Sequence, residues 1–358
     1  VQRFGRDIMN VVSSMTWSLE RTRQLFVWLT LFALPWQTRW FQEGSLLSSF
    51  PWEQARVSIY ASWILIGGSL GLRLVSLYRT DASTKVPHLS FSARHSWKKF
   101  VPFILSLLVL VGVCFNTTSI RATVQFCIEA GMLGLWVWSI WDLAIPWSRF
   151  VLGYIVSLLP SVLFGLWQYA TQMIPRIKYL GVAAQDPLTR GVSVIEVAGE
   201  RILRVYGSFP YPNIFAGWLV IAILAALFLV PQIAKTWQRL LLTMGIGLYT
   251  VTLVLTFSRA ALIALGVCLF MCVCVPQWRR LWSALPRREI VAYIFIVTSA
   301  LGITMVWTRE LWFVRAQTGT RLEQRSVNER TQGLQDGIRI LQTHPWFGVG
   351  PGAELQAI

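Results

Sequence analysis

The residues whose types and spacing could most clearly do chemistry are Thr256-Phe257-Ser258-Arg259-Ala260. They lie inside the apolar stretch 240–275, which only Ser258 and Arg259 interrupt. As one helix that stretch would reach about 54 Å, against a hydrocarbon core of about 30 Å. It must break, and Ser-Arg is the natural place, with the Ser258 hydroxyl expected to cap the second helix. A helix N-terminus presents unsatisfied N–H groups and a positive dipole end. The guanidinium of Arg259 binds phosphate at two points. Together they form a candidate anion site; the alternative is an arginine that snorkels at a membrane boundary.

A second spot is Gly207-Ser208-Phe209-Pro210-Tyr211-Pro212-Asn213. Its prolines forbid helix upstream and permit it downstream, so a helix should open near Asn213, with Arg201 and Arg204 just before it. Taken alone, such a segment can be purely structural. The third spot is Glu329-Arg330 followed by His344-Pro345-Trp346-Phe347-Gly348-Val349-Gly350-Pro351-Gly352. No Gly-Lys-Ser/Thr follows, so this is no nucleotide P-loop. His344 could act as a base or be a bystander. Glu129, an acid inside an apolar run, is a candidate by position alone.

The elements that must hold these residues are membrane spans. The 358 residues are 55% hydrophobic and 13% charged, whereas soluble domains carry about 25% charged residues. Nineteen Trp fit interfacial belts. The net charge of +16 then reflects basic loops and anionic lipid rather than nucleic acid. The expected fold is an all-α integral membrane protein with about nine transmembrane helices. The runs are 24–37, 57–78, 100–115, 122–145, 150–168, 213–230, 240–257, 260–275 and 290–307.

Lys and Arg are densest in loops 79–99 and 277–289, which puts these in the cytoplasm with the amino terminus. Residues 1–23 are then a cytoplasmic segment and 24–307 a membrane domain with an outer loop at 173–212. Residues 308–358 form a second outer-face segment, which reads as truncated at Ile358. Within the outer loop, 192–197 and 201–206 flank Ala198-Gly199-Glu200 as a hairpin. Leu334, Ile338 and Leu341 have helical spacing suited to a membrane surface. Cys114, Cys127, Cys268, Cys272 and Cys274 lie in apolar runs without a CxxC pair, so reduced packing residues are expected. With three His, two of them in one basic loop, no metal site and no cofactor are expected.

At the three spots the sequence resembles the O-antigen ligase and polymerase superfamily of bacterial membrane glycosyltransferases. The matching pieces are Arg204-Val205-Tyr206-Gly207-Ser208-Phe209-Pro210 leading into Pro212-Asn213-Ile214-Phe215-Ala216-Gly217, then Phe257-Ser258-Arg259-Ala260-Ala261-Leu262. The last is Glu329-Arg330 with His344-Pro345 and Gly348-Val349-Gly350-Pro351-Gly352. The resemblance implies transfer of a glycan from a polyprenyl-diphosphate carrier to a glycan or lipid acceptor, in polysaccharide or lipopolysaccharide synthesis at the outer face of the bacterial inner membrane. It implies diphosphate binding by Arg259, Arg204 and Arg330; read from the residues themselves, Ser258 joins them and Arg201, Asn213, His344 and Glu129 are secondary candidates. It also implies a catalytic His beyond Ile358, in a motif that this sequence does not contain, so His344 is not given that role. Tyr211 stands where the superfamily often has His. Competing readings are a small-solute transporter of the inorganic-carbon type and a non-catalytic assembly protein.

Overall fold

The computed structural model describes residues 19–36, 38–42, 46–47, 50–51, 57–83, 112, 119–316, 321–346 and 348–350. Within these, six helices are long and apolar enough to cross a membrane, or seven if one bent pair counts as a span. The chain is an all-α membrane protein with only short two-stranded sheets.

The helices are α1 (19–33), α2 (Ala61–Ser83), α3 (Ile120–Ile140), α4 (Trp147–Ser157), α5 (Leu159–Thr171), α6 (Pro212–Leu229), α7 (Thr236–Leu255), α8 (Arg259–Cys274), α9 (Pro276–Ser283), α10 (Arg287–Trp307), α11 (Arg309–Ala316) and α12 (Arg321–Thr343). Helices α4 and α5 count as one 25-residue span interrupted at Leu158. The expected run 100–115 lies outside the described residues. The run 24–37 corresponds to α1, whose length of about 22 Å is short of the hydrocarbon thickness. The run 260–275 becomes α8, and α9 follows it at a bend of 81°. Pro276 opens α9 and, having no N–H, ends the preceding ladder.

The chain divides into two compact units. The first comprises 1–27, 39–143 and 325–358. Here α2 packs on α3, and three segments meet on one carboxylate. Arg23 takes Asp142 at two points, 2.6 and 3.1 Å. Arg73 pairs with the same carboxylate while its guanidinium lies 4.4 Å from the Trp138 ring centroid, within cation–π range. Both arginines are buried. In this unit Gln125 also bonds the Ser58 backbone in both directions and donates to Glu129 at 2.7 Å. Glu129 thus has a local partner that its isolation in the sequence does not reveal.

The second unit, 28–38 and 144–324, is built around α6. Phe215, Ala216, Leu219, Ala222, Ile223 and Ala226 are almost fully buried against α4, α7 and α8. Lipid is as apolar as these side chains, so close packing rather than escape from water holds the helices together. Ala216, Ala222 and Ala226 let the backbones approach. Helix α7 runs alongside α10, and Arg239 near its start pairs with Glu289 near the start of α10 at 2.7 Å.

Cys268, Cys272 and Cys274 are free; Cys114 lies outside the described residues. Leu334, Ile338 and Leu341 are exposed along α12.

Burial pushes the Asp142 carboxyl up, but the Arg23 bond and charge, its own backbone N–H and Arg73 together bring it below the ordinary value of 3.8. A depressed carboxyl stabilises the fold above its unfolded value, and that share is lost as pH falls through the folded one. Asp142→Asn should therefore lower thermal stability in detergent at neutral pH by about 1–3 kcal/mol, less than a fully buried pair because Asp142 is half exposed. The variant should also lose part of the stability decline between about pH 5 and 3. Equal melting curves at pH 7 would show that the two arginines do not need this carboxylate.

Candidate functional site

The apolar stretch 240–275 breaks where expected. Helix α7 ends at Leu255, α8 begins at Arg259, and Phe257 between them takes a left-handed φ of 50°. A non-glycine residue there costs about 1–2 kcal/mol. The cost is tolerated because the ring is fully buried, against Ile195 and Leu311 and 5.3 Å from the Trp312 ring. Ser258 has N-cap backbone geometry, and its carbonyl accepts the first helical bond, from Leu262. Its hydroxyl makes no capping bond, which corrects the sequence expectation. Backbone conformation, not the Ser258 hydroxyl, opens α8.

The loop before α6 packs directly on this break. Strands β1 (Val194–Val197) and β2 (Glu200–Leu203) form the expected hairpin, and Glu200 belongs to the second strand rather than the turn. Ala198 and Gly199 both have positive φ, as the tightest hairpin turn demands. Alternation gives the hairpin two apolar faces. Val194 and Leu203 pack with Ile174, Val182 and Tyr206, while Ile195, Val197 and Ile202 face Phe257 and Leu311.

Arg204 follows the hairpin and is 5% exposed. Its Nε donates to the Thr256 carbonyl at 2.8 Å and its Nη2 to Asn213 Oδ1 at 2.7 Å. One guanidinium thus joins the end of α7 to the start of α6. The Val205 N–H adds a bond to the Leu255 carbonyl.

The Tyr-Gly-Ser-Phe segment is a lock. Gln168, fully buried on α5, donates to the Gly207 carbonyl at 2.7 Å and accepts from the Gly207 N–H at 2.9 Å. Ser208 bonds Ser161 and the Pro35 carbonyl, and Phe209 stacks on Phe215. Gly207 has φ +60°, and a Cβ there would sit 2.9 Å from the Phe215 ring, so no other residue fits.

Arg259 is half-buried and donates from Nη1 to the Arg315 carbonyl at 2.8 Å, near the end of α11. Arg315, itself buried, is not singled out by the sequence: no motif surrounds it and 56 positions separate it from Arg259. Arg201 pairs across the hairpin with Glu196 at 3.4 Å. Among the sequence candidates, then, the structure brings Arg204, Asn213, Ser258 and Arg259 to one place in the second unit. Arg330 and His344 belong to the first unit. Arg330 is exposed on α12, and His344 is exposed with Nδ1 2.9 Å from the Thr343 hydroxyl. Glu129 lies mid-helix in α3, also in the first unit. The catalytic His was expected beyond Ile358, and Ile358 itself, with the rest of 351–358, lies outside the described residues. The structure therefore places no residue in that role.

At the opposite end of α11 a groove of about 670 Å³ lies between the hairpin and the α10–α11 junction, with Glu200, Ile202, Trp307, Arg309 and Glu310 among its walls. Neither Arg204 nor Arg259 lines it. Among the described residues no three of His, Cys, Asp and Glu cluster as metal ligands.

Arg204→Ala should leave the Thr256 carbonyl and Asn213 without their buried donor and destabilise the folded protein by about 2–3 kcal/mol. Thermal unfolding in detergent measures this. Wild-type stability in the variant would deny Arg204 its structural role.

Residues 244–358 match a family model described as O-antigen ligase. No curated protein and no solved structure matches the chain.

Proposed function

We propose that this chain, which carries the O-antigen ligase domain of that superfamily over residues 244–358, transfers a glycan from a polyprenyl-diphosphate carrier to a glycan or lipid acceptor at the outer face of the bacterial inner membrane. The observation that carries the reading is the start of α8, which the Ser258 hydroxyl does not cap, with Arg259 in its first turn. Backbone N–H groups at such an end favour an anion, and a guanidinium adds two-point recognition.

In the reaction the acceptor hydroxyl attacks the anomeric carbon, the bond from that carbon to the carrier diphosphate breaks, and the diphosphate leaves with its electron pair. Negative charge grows on the leaving group, so donors fixed before the reaction stabilise the transition state more than the ground state. Arg259 and the α8 N–H groups take this role. Arg204 holds the two helix ends in register. The acceptor proton passes to a base outside this set.

Arg259→Lys keeps the charge and loses the planar fork. Glycan transfer by the full-length protein in membranes should fall at least tenfold, with membrane insertion and thermal stability retained. Undiminished transfer would remove Arg259 from the diphosphate site. Topology gives a second test. Cysteines placed at 280 and 288 should resist impermeant maleimide in intact cells, and cysteines at 186 and 200 should react. Labelling of 280 from outside would invert the orientation and place the arginines on the wrong side for this reaction.

A further inference from the structure

The groove at the α10–α11 junction has the makings of a carbohydrate site. Its volume of about 670 Å³ falls within the usual range of small-molecule pockets, about 300–1,000 Å³. One wall carries Trp307, a residue 68% exposed, whose ring is met edge-on by Tyr169 at 5.6 Å. The rim carries Glu200, Arg309 and Glu310, all exposed, and none is in an ion pair among the described residues. A sugar ring has an apolar C–H face and an edge of hydroxyls. An exposed indole suits the face, and carboxylates with a guanidinium suit the hydroxyls, which both donate and accept.

A tryptophan at the end of a span can simply belong to an interfacial belt. A belt residue does not call for three charged groups converging on the same hollow. The hairpin wall is also fixed: Ile202 and Val197 pack with Phe257 and Leu311, so the groove is formed without a ligand.

Helix α11 relates the groove to the anion site. Arg309 lines the groove, and the carbonyl of Arg315 holds Arg259. Six residues of helix separate them, about 9 Å, the length of one or two sugar units. We infer that this groove binds the glycan next to the reacting bond, as donor or acceptor oligosaccharide, with Trp307 as stacking platform and Glu200, Arg309 and Glu310 bonding hydroxyls. The inference rests on the transferase reading.

The test places a benzophenone side chain at position 306, an exposed residue of the groove, in the full-length protein in living cells. Irradiation should give adducts that carry the cell's own glycan. Adducts that persist in cells lacking the acceptor identify the donor glycan. Adducts lost in those cells but kept in cells lacking the lipid-linked donor identify the acceptor. Trp307→Ala should reduce the adduct at least fivefold, and Trp307→Phe should retain most of it and control for folding. Adducts with phospholipid alone, or glycan adducts unchanged by Trp307→Ala, would overturn the assignment. Undiminished transfer by Arg259→Lys with the glycan adduct present would sink the diphosphate reading and leave the groove standing. Normal transfer without the adduct would do the reverse.

Discussion

Much of the second unit hangs on one buried guanidinium. The end of α7 leaves carbonyls without helical partners, and the Thr256 carbonyl is buried where water cannot serve it. Arg204 serves it, and its own removal from water is offset by that carbonyl and by Asn213. Its positive charge also sits at the negative end of the α7 dipole. The consequence reaches past the contact itself. Because Arg204 follows the hairpin and Asn213 opens α6, the same guanidinium sets where the hairpin lies and where α6 starts. The strained turn at Phe257 is then clamped from two sides, by the Arg204 bond before it and by the hairpin's apolar face over it.

Arg259 stands in a different electrostatic position. It opens α8, where the dipole's positive end disfavours a cation. The Arg315 carbonyl, near the negative end of α11, offsets part of this. The other end of α7, about 30 Å away, holds Arg239 with a carboxylate of its own, Glu289. At that end the arginine is matched by a carboxylate of the protein, and at the other Arg204 and Arg259 bond the Thr256 and Arg315 carbonyls and the Asn213 amide.

What can be read in the sequence is what depends on neighbours along the chain. The break at Ser258-Arg259 follows from the length of an apolar stretch, and the hairpin from Gly199 between two β-prone runs. Ser258 misleads because residue type shows that a hydroxyl can cap, not whether local geometry aims it there. The partnerships that fix the site are hidden by distance: Gln168 and Gly207 are 39 positions apart, Arg259 and Arg315 are 56, and Arg23 and Asp142 are 119. Nothing in the local sequence marks Gln168 as more than a polar residue in an apolar helix. Its full burial and its double hold on one peptide emerge only once α5 is packed.

The same separation sorts the arginines. Arg204 and Arg259 both lie in motif-like segments, and in the sequence both have equal claim to a ligand. Burial and bonding divide them. A guanidinium 5% exposed, with named acceptors on two helices, is committed to the scaffold, and a ligand would have to break those bonds to use it. Arg259 is half-buried at the start of α8 and is held through the Arg315 carbonyl, beside a turn that other residues fix. The Tyr-Gly-Ser-Phe segment falls on the scaffold side for the same reason, since its glycine, serine and phenylalanine each fill a packing or bonding need. Its value to the chemistry is indirect: it keeps Arg204 in place, and through Arg204 the α8 start that Arg259 shares.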